Sequence, residues 1–139
     1  MAGEILNREL FLYVLHREVE RARRYQNFFC VLTLRLPELV GRGKGRGLQE
    51  SYLALSNWLK GELRDSDVVG SLGNDQLGVL IPYADPMSGE VVRSRLEENL
   101  KYLGFKNAGY GVVIGQTSFP MDGTVTEDLV RKVLEKEAA

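Results

Sequence analysis

The sequence predicts an α+β fold: a mostly antiparallel central sheet flanked by helices. Three observations predict it. Apolar residues recur at three- and four-residue steps in four separate stretches, which marks helices. Between them stand short β-rich runs, two of which are separated only by Gly73-Asn74-Asp75-Gln76. The crossovers are short, and the order is helix, strand, helix, hairpin, helix, strand, helix, which suits a sheet covered by helices.

The bulk composition bounds the possibilities. A chain of 139 residues is one domain, large enough for a core without staples. The residues are 44% hydrophobic and 27% charged, as in ordinary globular proteins. A formal net charge of −1 gives no global pull toward nucleic acid or anionic membrane. A single cysteine, Cys30, rules out an internal disulfide and fits a reducing, cytoplasmic setting. With one histidine beside it, no Cys/His zinc site can form. No apolar run is long enough to span a bilayer, and no secretory signal opens the chain. The chain stops almost as soon as its last helix does, the form expected of a module (residues 1–139) excised from a longer signalling protein.

The first helix begins at Asn7, a capping residue, with Glu9 in the first turn. Phe11, Leu12, Leu15, Val19 and Ala22 form its apolar stripe. His16 reads as an exposed or half-buried helix residue, since no Ser or Cys partner stands at a telling spacing. Phe28–Leu36 is a β-rich apolar run and is predicted to be the central strand, with Cys30 a small core residue.

Gly41–Gly47 alternates glycine with Arg42, Lys44 and Arg46 and leads into a helix. Such a stretch can hold a phosphate on backbone N–H groups and cations, or be a basic surface loop. It is not a Walker A loop, and the second reading is the stronger because so short a motif is a weak signal. The helix that follows carries the stripe Leu48, Tyr52, Leu55, Leu59 and Leu63, with Trp58 at the core edge.

Val68–Leu72 and Leu77–Ile81 form the hairpin, with Gly73 and Asn74 suited to the positive φ of a tight turn. Asp85-Pro86 starts the third helix, capped by Asp and with Pro in its first turn. Its apolar face is Val92, Leu96, Leu100 and Leu103. Tyr110–Gly115 is read as the last strand and Pro120–Gly123 as a turn. Thr124 and Glu127 spell a capping box for a last helix with Val125, Leu129 and Val133 on one side.

The stretch Arg64–Pro82 resembles the signature region of the GGDEF domain, the diguanylate cyclase family. The five signature residues fall on Gly73, Asn74, Asp75, Gln76 and Leu77; the first glycine and the acidic third position are kept and three positions differ. The frame matches better: Arg64-x-x-Asp67, five residues, the hairpin, then an apolar strand ending in Pro82. That is the family's RxxD inhibitory motif at its usual spacing. Asn7-Arg8 through Arg24 is also similar to the family's opening helix. The resemblance implies the nucleotidyl-cyclase-like, ferredoxin-like fold over nearly the whole chain.

It also implies where function was kept and lost. The metal-binding aspartate at the end of the first strand falls on Arg35. A guanidinium repels a divalent cation and cannot coordinate it, so no Mg²⁺ and no cyclase chemistry are expected. Arg35 either pairs with Asp75 as an internal cation or points to solvent. The guanine-binding residues of active members fall in the Gly41–Gly47 region, which offers only glycine and basic residues. A further inhibitory-site arginine on the third helix falls on Arg95. Its plain alternative is a surface pair with Glu98, and that of Arg64 and Asp67 is a local ion pair steadying the turn.

The resemblance thus implies a bacterial, cytoplasmic, degenerate GGDEF domain. It would be catalytically inactive and would bind cyclic di-GMP through Arg64, Asp67 and Arg95. The degenerate active site would comprise Arg35, Gly73, Asn74, Asp75 and Gln76. The alternatives are an interaction or homodimerisation module without nucleotide, and weak GTP binding or residual cyclase activity.

Overall fold

The computed structural model describes residues 4–39 and 47–135. Helix α1 runs Arg8–Tyr25, strand β1 Phe29–Arg35 and helix α2 Leu48–Glu62. The hairpin strands are β2, Val68–Gly73, and β3, Gln76–Pro82. Helix α3 is Pro86–Leu100, strand β4 Val113–Phe119 and helix α4 Thr126–Glu135. The sheet order is β2-β3-β1-β4, and all three ladders are antiparallel. The only parallel pairing among the described residues is an isolated bridge between Leu6 and Gly70.

Strand alternation divides the sheet's side chains between two cores. On one face Leu55 and Leu59 of α2 and Leu96 and Leu100 of α3 cover Leu32, Leu34, Val79 and Ile81. On the other, Phe11, Leu15 and Val19 of α1 and Leu129 and Val133 of α4 cover Phe29, Val31, Leu80 and Phe119. The result is an α+β sandwich with β1 and β3 in the middle, which is why β1 is apolar on both faces. Cys30 is fully buried within it and Trp58 packs at the core's margin.

The caps act as their residue types dictate. The Asn7 side chain accepts from the Leu10 N–H at 2.8 Å, and Asp85 accepts from the Ser88 N–H at 2.8 Å with Pro86 opening α3. His16 is exposed, its Nδ1 2.7 Å from Thr126 Oγ1, and so ties α1 to α4.

Three local expectations need correction. The last strand is Val113–Phe119, and Tyr110 only makes an isolated bridge to Glu38. The cause is polar side chains in an edge strand: Gln116 reaches the Pro86 carbonyl at 3.0 Å, so hydrogen bonding holds it where an apolar pattern would be expected. Helix α4 begins at Thr126, one residue later than a Thr124 cap implies. The hairpin turn is Asn74-Asp75 alone, with Gly73 and Gln76 paired as strand residues. Neither Gly73 nor Asn74 has a positive φ. A register shift between Ser71 and Gly73 leaves Leu72 as an extra residue, and such a bulge adds the twist that the turn itself does not supply. The basic stretch Gly41–Gly47 lies outside the described residues except for Gly47, which precedes α2. No helix among the described residues is long and apolar enough to cross a membrane.

Candidate functional site

The fold creates two places where the singled-out residues meet. The first is the open end of the hairpin. Arg35, the last residue of β1, is the cross-strand partner of Gln76, and Gln76 in turn pairs with Gly73. Asp75 is joined to the end of β1 through its backbone, its carbonyl accepting from the Leu36 N–H at 2.9 Å. Asn74 is exposed at the tip.

Among the ion pairs of the described residues, none joins Arg35 to Asp75. Alternation explains it. Arg35 shares the α1–α4 face with Phe29 and Val31, whereas the charge of Asp75 acts on Tyr52 of α2, on the other side. The Tyr52 hydroxyl donates to Ser71 Oγ at 2.8 Å, which donates to the Gly73 carbonyl at 3.1 Å. Burial, and after it the Asp75 charge, holds the Tyr52 phenol above its usual range. The sequence marks Tyr52 only as a stripe residue; its position facing a hairpin serine is a tertiary fact.

Gln76 is completely buried, and neither its Nε2 nor its Oε1 has a hydrogen-bond partner. A divalent cation requires several oxygen ligands, carboxylates foremost. Here a guanidinium and an amide stand side by side, with Asp75 the single carboxylate of the hairpin. No group of three or more His, Cys, Asp or Glu comes together among the described residues. This donor set does not fit Mg²⁺.

The second place lies between the end of α2, the end of β3 and the outer side of α3. Arg64, Asp67 and Arg95 line one cavity of about 370 Å³, together with Tyr83, Ser88 and Val91. Arg64 follows Leu63, the C-cap of α2. Its N–H donates to Asp67 Oδ2 at 2.9 Å, and the Asp67 N–H donates to the Arg64 carbonyl at 3.0 Å. The turn is therefore steadied by Asp67 through the backbone of Arg64, which leaves the exposed guanidinium outside that reciprocal pair. Arg95 donates to the Glu62 carbonyl at 2.9 Å, bridging α3 to the end of α2, while Glu98 pairs with Lys101.

Asp67 is 7% exposed. Burial pushes its carboxyl above the ordinary aspartate value, against the Arg64 N–H and the charges of Arg64 and Arg95, which pull it down. Two guanidiniums and a carboxylate facing one hollow can bind a planar, polar anion. The guanidiniums offer forked donors to phosphate or carbonyl oxygen, and the carboxylate accepts from N–H groups. Two other hollows, of about 550 and 670 Å³, are larger, but neither contains Arg64, Asp67 or Arg95.

No protein-family model matches the chain, and no curated protein matches its sequence. Solved structures do match in three dimensions. A DGC protein from Thermotoga maritima superposes with a TM-score of 0.78 at 16% identity, covering 95% of each chain. The active GGEEF domain of a diguanylate cyclase from Vibrio cholerae gives 0.77 at 14% identity, covering 95% of this chain and 88% of that one. A microbial GGDEF domain that interacts with bis-(3′,5′)-cyclic di-GMP gives 0.67 at 20% identity, covering 95% of this chain and 82% of its own. The likeness is one of architecture rather than of sequence, and on that architecture the chain has the fold of a GGDEF domain.

Proposed function

We propose that this chain is a catalytically inactive GGDEF-fold signalling domain that binds cyclic di-GMP in the cavity lined by Arg64, Asp67 and Arg95. The observation that carries the reading is the convergence of the Arg64–Asp67 turn and Arg95 of α3 on one hollow of about 370 Å³. Arg64 and Arg95 meet the phosphates or the guanine edge, and Asp67 accepts from guanine N–H groups. A solved neighbour of this fold interacts with the same dinucleotide.

The inactivity rests on the hairpin end. With Arg35 and Gln76 adjacent, the charge of a nucleoside triphosphate has no metal to meet there, and phosphoryl transfer loses its principal electrostatic support.

Calorimetric titration of cyclic di-GMP into the parent and into an Arg64→Ala, Arg95→Ala double variant tests the reading. Micromolar binding by the parent, weakened about 100-fold or more in the double variant, supports it, since each charge-assisted bond contributes about 1.5–3 kcal/mol. Silence from the parent leaves a protein-interaction module in its place. Magnesium-dependent conversion of GTP by the purified chain overturns the inactivity.

A further inference from the structure

Tyr83 stands at the mouth of the cavity, one residue beyond the end of β3. Its side chain is 67% exposed, so the core gains little from it. Its φ is 63°, in the left-handed region. A bulky residue held there costs about 1–3 kcal/mol, a cost that burial does not offset here. What the conformation accomplishes is placement. Tyr83 lines the cavity, and the Arg21 guanidinium of α1 lies over its ring, 4.4 Å from the ring centroid. Arg21 is itself fixed by two hydrogen bonds to Glu18, at 2.9 and 2.5 Å.

The ring is thus braced from one side, and Tyr83 borders the same hollow as Arg64, Asp67 and Arg95. An aromatic surface beside two cations and an acceptor matches the two parts of a nucleotide. A base has a π-face that stacks on tyrosine, and its phosphate takes guanidinium donors. Tyrosine serves this end with little loss of side-chain freedom on binding, the more so when a cation–π contact already holds the ring.

We infer that Tyr83 is the base-stacking residue of the cavity, carrying a purine base of the bound dinucleotide on its ring while Arg21 braces that ring. The inference rests on the cyclic di-GMP reading above and adds to it a residue outside the Arg64–Asp67–Arg95 set. It also accounts for the strained backbone of an exposed aromatic.

Titration of cyclic di-GMP into the full chain and into Tyr83→Phe and Tyr83→Asn variants tests it, beside the Arg64→Ala, Arg95→Ala variant. Asparagine tolerates the left-handed conformation, so Tyr83→Asn removes the ring without harming the fold, and its melting temperature checks this. The expected result is binding by Tyr83→Phe within about twofold of the parent and by Tyr83→Asn roughly 10- to 100-fold weaker. At saturation, the guanine H8 proton should shift upfield in the parent and in Tyr83→Phe, from the ring current, and not in Tyr83→Asn. Equal affinity of Tyr83→Asn and parent, with binding lost in the arginine double variant, overturns the inference and leaves the binding reading standing. Equal weakening by Phe and Asn overturns stacking as the cause. Absence of binding by the parent overturns both.

Discussion

Gln76 is sealed in the interior with both amide atoms unpartnered, beside the guanidinium-bearing Arg35. A buried donor or acceptor left unsatisfied costs about 1–3 kcal/mol. Gln76→Met, similar in length and apolar, should therefore raise the unfolding free energy by about 1–2 kcal/mol in urea denaturation. A loss of stability would contradict the argument from the unpartnered amide. Asp67 makes a second residue-scale prediction. Burial lifts its folded-state pKa above the unfolded one, so its contribution is fully present below the ordinary aspartate value and is lost as pH rises through the raised value. Asp67→Asn keeps an oxygen for the Arg64 N–H and cannot ionise. Its stability relative to the parent should climb across that acidic window, measured as the difference in unfolding free energy from acid to neutral pH; a flat difference would contradict the burial argument.

At the scale of the element, the close seat of α1 on the hairpin depends on two glycines. A Cβ at Gly70 would lie 2.5 Å from Phe11 Cβ, and one at Gly78 would lie 2.8 Å from the Phe11 ring. Gly70→Ala should push α1 off the sheet and cost about 1–3 kcal/mol. Phe11→Ala should cost about 3–5 kcal/mol. Together they should cost less than their sum, because truncating Phe11 removes the clash; strict additivity in the double-mutant cycle would contradict the contact. Helices α1 and α3 were legible in the sequence because stripe and cap point to the same start, at Asn7 and Asp85-Pro86, and α2 by its stripe alone. Strand β4 was less so, since Gln116 and Ser118 hold an edge strand by hydrogen bonds that periodicity does not register. The hairpin was legible as an element, while its turn geometry was not: the bulge at Leu72 depends on how two strands twist together. Of the candidate site, Arg64, Asp67 and Arg95 are named through the resemblance to the GGDEF family's inhibitory motif. That Arg95 would reach Glu62, and that Tyr83 would border the same hollow, are consequences of tertiary packing.

At the scale of the whole molecule, a near-neutral chain places the guanidiniums of Arg64 and Arg95 beside the single carboxylate of Asp67 in the hollow proposed to bind ligand. Affinity for cyclic di-GMP should therefore fall as salt is raised, by screening of the exposed guanidiniums. A free ligand concentration 100-fold above its Kd should stabilise the fold by about 2.7 kcal/mol. Thermal unfolding should register that gain in the parent and not in the Arg64→Ala, Arg95→Ala variant. Asp67 of the hollow immediately precedes β2, the strand against which the start of the described chain lies. Leu6 lies along the outer side of β2, its N–H donating to the Val69 carbonyl at 2.9 Å and its carbonyl accepting from the Ser71 N–H at 2.8 Å. An amide on an outermost strand ordinarily trades its hydrogen for solvent deuterium quickly. That of Ser71 can do so only while Leu6 is lifted away, so its exchange rate counts those excursions, two to four residues from Asp67.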